Sequence, residues 1–241
     1  MTALADTFYA ELHDALAAHA DPVRAVSVRN YFKEPVETYG MALPIVRAIA
    51  RPIAARLRKQ GALADALALA ERLLASGNLE EGSAVEDIMR PFLSQLTPDH
   101  FSRFDGWVEW FSNWAVTDSV SCHVTGELLA RHPELAPRLI PWTASPNRWR
   151  RRAACVTLVI PVRRRAVGPA AVFAVTDHLM EDRDDMVQKG AGWALRDLLV
   201  LHPAEVVEYL QRWPNAGRIL VRYVMEKASL EVRARFIKPR G

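Results

Sequence analysis

The chain is poor in cysteine, lysine and glycine and has no long apolar run. Its two cysteines, Cys122 and Cys155, in 241 residues give neither a disulfide framework nor zinc-ligand spacing. A reducing cytoplasm is therefore the expected compartment. The longest strongly apolar stretch, Ala153 to Val162, is about half of what a bilayer span needs, so no membrane association is expected. No charged segment followed by an apolar one opens the chain, and no secretory signal is expected. The seven histidines include no HExxH pair, and there is no GxGxxG or P-loop pattern. Neither a metal nor a nucleotide cofactor is expected. No segment alternates apolar and polar residues between hairpin signals, which leaves no credible strand.

Half of the residues are apolar and 24% are charged, the balance of a globular chain. The net charge of +3 hides an asymmetry. Residues 1–120 hold 11 Lys/Arg against 16 Asp/Glu, net −5, and residues 121–241 hold 20 against 12, net +8. Of the 31 basic residues, 26 are Arg. A GC-rich genome accounts for that ratio but not for the asymmetry. Arginine grips phosphate through a planar, bidentate fork, so a basic, Arg-rich half points to a polyanionic partner.

Helical periodicity runs throughout. Leu63, Leu67, Ala70, Leu73 and Leu74 form one apolar stripe, Val120, Val124, Leu128 and Leu129 another, and Leu195, Leu198 and Leu199 a third. Stop and start signals separate them: Ser76-Gly77-Asn78, Thr97-Pro98-Asp99, His132-Pro133, Ser145-Pro146-Asn147 and His202-Pro203. The spacing predicts helices of 10–18 residues and one all-α domain over residues 1–241. The segment 128–135 resembles 198–205 at an offset of 70 residues, two units of 35. Helix-pair repeats of the HEAT kind run at about 35–47 residues and stack into a curved α-solenoid. Stepping by one repeat, Asp118, Arg152, Lys189 and Arg222 are spaced by 34, 37 and 33 residues. They are expected at equivalent positions on a common concave surface.

Three clusters could carry chemistry. Trp114 and Asp118 lie four apart, one above the other on a helix. A carboxylate beside an indole face can stabilise a cation; equally, Asp118 could cap a helix with Trp114 in the core. Arg148, Arg150, Arg151 and Arg152 crowd a helix start that is already positive, a good seat for phosphate. Gly190 and Gly192 inside a helical pattern cost about 1 kcal/mol each relative to Ala, so they require close helix packing or a closely approaching ligand. Lys189 and Trp193 flank them at a spacing of four, as Gly192 and Arg196 do.

Taken in order, these pieces resemble the AlkD-like DNA alkylation-repair glycosylases, which are HEAT-like repeat proteins. The resemblance runs over nearly the whole chain. It includes Arg29-Asn30-Tyr31-Phe32-Lys33, Tyr39-Gly40-Met41 through Pro44 and Arg47, then Trp114 and Asp118-Ser119-Val120, His132-Pro133-Glu134-Leu135, Ser145 to Ala154, and Lys189 to Arg196. It implies hydrolysis of the N-glycosidic bond of cationic N3- or N7-alkylpurines in duplex DNA, without flipping the base into a deep pocket. Asp118 matches the catalytic carboxylate, Trp114 and Trp193 the aromatics that pack against the lesion deoxyribose, and Arg152 a basic residue of the active site. Tyr31, Arg47, Arg150, Arg151, Lys189 and Arg196 are the expected DNA-binding residues. A monomer with no metal and no cofactor, acting in the cytoplasm on the DNA of a bacterial nucleoid, is the resulting expectation. The runner-up is a non-catalytic HEAT-like module that binds damaged or branched DNA.

Overall fold

Four helix starts, one repeat apart, are set by an Asn or Asp whose side chain accepts from the first free backbone N–H groups. The computed structural model describes residues 2–236. Asn78 accepts from the amides of Glu80 and Glu81, Asn113 from Val116, Asn147 from Trp149, and Asp184 from Met186 and Val187. These caps recur at intervals of 35, 34 and 37 residues, so the chain restarts a helix once per repeat. The described residues are helical and include no strand; a lone bridge pairs Glu37 with Asn78. None of these helices is long and apolar enough to cross a membrane.

The chain divides into two compact units, one ending at Val124 and one starting at Thr125. Residues 121–124 carry no charged side chain, so the boundary coincides with the charge asymmetry: the first unit is net −5 and the second net +8.

The first unit contains α1 (Ala3–Ala18), α2 (Pro22–Tyr31), α3 (Leu43–Gln60), α4 (Leu63–Ala75), α5 (Leu79–Met89), α6 (Phe101–Trp107) and α7 (Trp114–Val120). Helix α1 packs on α3 and α4, α4 packs on α5, and α3, α5 and α7 follow one another in a row. Phe8, Leu12, Leu57, Leu69, Leu73 and Phe104 are fully buried, as the 3.6-residue stripe requires. Two buried carboxylates at the start of α5 fix the loop between α2 and α3. Glu80 accepts from Thr38 Oγ1 (2.7 Å) and from the amides of Tyr39, Gly40 and Met41 (3.0, 3.0 and 2.9 Å). Gly40 sits at φ +83°, the left-handed region where glycine avoids a steric penalty. Glu81 accepts from Tyr39 Oη (2.7 Å) and contacts His13 Nδ1 (2.8 Å). Burial and this bond together raise the Tyr39 phenol far above its ordinary pKa, so Tyr39 stays a donor.

The second unit contains α8 (Gly126–Arg131), α9 (Arg148–Val156), α10 (Val159–Arg163), α11 (Pro169–Thr176), α12 (Asp185–Leu201), α13 (Pro203–Gln211), α14 (Arg218–Met225) and α15 (Leu230–Phe236). Helices α9, α12 and α14 pack in sequence, and α11 and α13 lie against α12.

Several elements depart from the expected 10–18 residues, and proline explains two of the departures. Residues 133–144 form a 3₁₀ run rather than an α-helix. Pro133, Pro137 and Pro141 recur every four residues, so each removes the N–H that would bond the carbonyl four back. The apolar stretch at 153–162 breaks between α9 and α10 because Pro161 leaves the Thr157 carbonyl without its helical donor. Between α7 and α8, residues Ser121–Thr125 wind as a π-helix. Cys122 and Cys155 are both buried free thiols, and burial pushes the Cys155 thiol up to about 12.

The two glycines of α12 are explained by helix packing. A Cβ on Gly192 would lie 2.6 Å from Tyr223 Cβ and 2.9 Å from the Leu220 carbonyl, and one on Gly190 would lie 3.0 Å from Arg152 Cγ. Gly192→Ala is expected to lower unfolding stability by about 1–3 kcal/mol through overpacking. Gly106→Ala, with no atom within 4 Å of the added Cβ, should be neutral or stabilising by up to about 1 kcal/mol. Urea denaturation of both variants checks the pair, and equal midpoints would contradict the packing account.

Candidate functional site

Four of the sequence-predicted site residues, with Arg222 of the repeat ladder, occupy one helical rank. Arg47, Asp118, Arg152, Lys189 and Arg222 are each the fifth residue of their helix, in α3, α7, α9, α12 and α14, and Ser83 holds the same rank in α5. A fixed distance from the cap gives each side chain the same angular position on its helix.

In the first unit, Asn113 caps α7 by accepting from Val116 N at 3.0 Å, so Asp118 is a mid-helix residue and not a cap. Trp114 opens the helix and Asp118 follows one turn later; both are partly exposed. Trp114 lies outside the core, stacked on Phe32 with ring centroids 5.5 Å apart and planes 20° apart. Tyr31, 71% exposed, meets the Trp114 ring edge-on at 6.2 Å. The end of α2 and the start of α7 thus make a three-ring ledge beside a carboxylate.

Behind this ledge lie two acidic residues that the sequence reading did not single out. Glu86 and Asp87 on α5 are 5% and 2% exposed. Ser119, next to Asp118, donates to Glu86 Oε2 at 3.0 Å. Arg90 also bonds Glu86, and Arg51 Nε donates to Asp87 Oδ1 at 3.0 Å. Arg47 bridges the two carboxylates at 3.6 Å each. Glu86 and Asp87 thus orient three half-exposed guanidinium groups and tie α7 to α5 through Ser119. The signal for this was the Arg47/Arg51 pair one turn apart on α3, but its acidic partners lie 35 or more residues away along the chain.

In the second unit, the arginine run finds its negative charge inside the protein. Arg148 pairs with Asp184 at 3.3 Å, and its guanidinium lies 4.5 Å from the Trp149 ring centroid. Arg151 donates to both Asp182 oxygens (2.8 and 3.4 Å) and to the carbonyls of Ser145 and Pro146 (2.9 and 3.2 Å), which occupies four of its five N–H donors. Arg152 is buried, donating to the Met186 carbonyl at 2.6 Å. Arg150 lies over Trp142 at 5.8 Å. Two aspartates from the neighbouring repeat thus offset the like-charge crowding at the start of α9.

On α12, Trp193 is partly exposed, with the Arg163 guanidinium 5.8 Å from its ring centroid and a buried Nε1–H that has no acceptor. Arg163 is itself held by Asp197 at 2.6 Å. Arg196 pairs with Glu226 at 2.6 Å. Among the described residues, the Lys189 ammonium meets only Met186 Sδ, at 4.0 Å. Among the described residues, no group of three His, Cys, Asp or Glu side chains could hold a metal ion.

Residues 12–230 match the model of a protein family described as DNA alkylation repair enzyme. Among solved structures, the chain is similar to a predicted DNA alkylation repair enzyme from Enterococcus faecalis. That likeness has a TM-score of 0.76, covers 88% of this chain and 97% of that one, and runs at 16% sequence identity. At this identity it is a likeness of fold. No curated protein matches the sequence.

The Arg151 geometry gives a direct expectation. Arg151→Ala removes a half-buried, multiply bonded guanidinium and strands Asp182, so it should cost about 1–3 kcal/mol of stability. Measured by chemical denaturation, the loss should be smaller when Asp182→Asn is already present. An Arg151→Ala variant as stable as the parent would show that the clamp contributes nothing.

Proposed function

Because the chain belongs to the family of DNA alkylation repair enzymes, we propose that it is a monofunctional DNA glycosylase acting on cationic N3- and N7-alkylpurines in duplex DNA. What carries the reading is Asp118. It is a partly exposed, mid-helix carboxylate one turn from an indole that lies outside the core, and Asn113 already does the capping that would otherwise explain an acid there.

The chemistry needs little from the protein. An N-alkylated purine is a cation, so its departure with the C1′–N bonding pair yields a neutral base and needs no general acid. The sugar left behind is oxocarbenium-like, as in glycoside hydrolysis. An ionised Asp118 stabilises that charge and orients a water that attacks C1′, its proton going to solvent. The Trp114 face adds cation–π attraction, and Phe32 and Tyr31 hold the ring in place.

The Glu86 network fixes Ser119, and with it the turn that carries Asp118. Within the second unit, Trp193 is a candidate aromatic in its own right, supported by its partial exposure and the guanidinium already over its ring. Arg152, bonded to a helix carbonyl, is a rigidly held cation of that same unit.

The test is release of base from DNA carrying 7-methylguanine, compared with DNA carrying a bulkier N3-alkyladenine adduct. The parent should release at least one of the two. Asp118→Asn keeps shape and hydrogen bonding but removes the charge, and it should slow single-turnover release by about 10²–10³-fold. Affinity for undamaged duplex should be equal or higher, because a negative charge facing phosphates is gone. Release at the parent rate by the variant would sink the carboxylate's role. A parent that binds duplex but releases neither base would favour the non-catalytic DNA-binding module.

A further inference from the structure

The net +8 of the second unit overstates what it can offer a polyanion. A cation that is already ion-paired exchanges one anion for another on meeting a phosphate, and gains little. In this unit Arg148, Arg151, Arg163, Arg164 and Arg196 pair with Asp184, Asp182, Asp197, Glu127 and Glu226. Arg235 pairs with Glu231, and Arg233 caps the Met225 and Glu226 carbonyls. Arg165, Arg183, Arg218 and Arg222 are different: all are exposed and none has a side-chain hydrogen bond or ion pair among the described residues, and of these Arg218 and Arg222 share one helix.

These two arginines stand one turn apart on α14 and together line a cavity of about 580 Å³, floored by Trp213, Pro214 and Val221. Among the described residues that line it there is no carboxylate, and the further cation is Arg235. Arg222 also lines an adjoining groove of about 440 Å³ between α12 and α14, opposite Lys189. Asp185 and Glu226 face that groove, and Glu226 is held by Arg196. Three cations without an ion-pair partner therefore line one continuous surface, and two of them, Lys189 and Arg222, hold the fifth rank of their helices.

We propose that Arg218 and Arg222, with Lys189, form a phosphodiester-binding patch on the last helix pair that grips the backbone of duplex DNA. The ligand is a pair of backbone phosphates with their sugars, recognised without regard to sequence. The patch rests on the reading of this protein as a DNA-binding repair enzyme, but not on its chemistry.

The experiment measures affinity for an undamaged fluorescent duplex over a range of salt concentrations, alongside single-turnover base release at saturating protein. Each lost phosphate contact lowers the slope of log affinity against log salt by about 0.9, so R218A/R222A should lower it by about 1.8. The matched control Arg164→Ala removes a cation paired with Glu127 and should leave the slope at the parent value. Both mutated side chains of the double variant are exposed, so its melting temperature should match the parent; Arg218→Gln/Arg222→Gln is the second variant should it not.

An unchanged slope for the double variant overturns the proposal, as does an equal per-residue loss in the Arg164 control, which would make the effect one of net charge. Deoxyadenosine 5′-monophosphate binding that is lost in the variant while the duplex slope stays unchanged would assign the patch to a free nucleotide and also overturn it. A reduced slope in a protein that releases no base would uphold the patch and reject the glycosylase reading. Base release with an unchanged slope would do the reverse.

Discussion

Ion pairs between residues about one repeat apart hold successive helices of this protein in register. Glu71 pairs with Arg103, Arg51 with Asp87, Glu127 with Arg164, Arg148 with Asp184, Arg163 with Asp197 and Arg196 with Glu226, at separations of 30 to 37 residues. Apolar faces supply most of the burial energy, but a face of Leu, Val and Ala tolerates sliding. A charged pair that is partly removed from water does not, because a displaced partner leaves a carboxylate poorly solvated. Glu86 and Asp87 are the strongest case: both are almost fully buried, and three arginines converge on them.

The same constraint decides which charges remain for function. The boundary between the two units falls where the chain changes from net acidic to net basic, so the polyanion-facing potential belongs to the second unit. Yet most of its arginines already have partners, and the run at the start of α9 serves largely to lock that helix to the loop ahead of α12. In the first unit the relation is inverted. An acidic half presents a partly exposed carboxylate next to an aromatic ledge, while two buried acids on α5, Glu86 and Asp87, draw arginines toward them.

The repeat was legible in the sequence because it is local and periodic. Asn and Asp caps, apolar stripes and Pro-containing turns each act within a few residues, and the ladder through Asp118, Arg152, Lys189 and Arg222 fell on equivalent helix positions because each lies a fixed distance from its cap. The choice between Asp118 as cap and Asp118 as outward carboxylate was open until Asn113 was seen to take the capping role. The glycines of α12 likewise admitted two explanations until Tyr223, Leu220 and Arg152 were found against them. The pattern was misjudged over residues 133–144, where prolines recur every four residues and convert an α pattern into 3₁₀.

By itself, then, the sequence determined the helical class, the repeat length, the rank of the Asp118, Arg152, Lys189 and Arg222 ladder within its helices and the excess of positive charge in the second half. All of these depend on interactions between near neighbours along the chain. Only the tertiary structure decided which arginines are committed and which are free to meet a phosphate, and which tryptophan rests on Phe32 and which beneath Arg163. Those outcomes depend on contacts between residues roughly a repeat or more apart in sequence, where pairing is set by how helices pack and not by spacing along one of them.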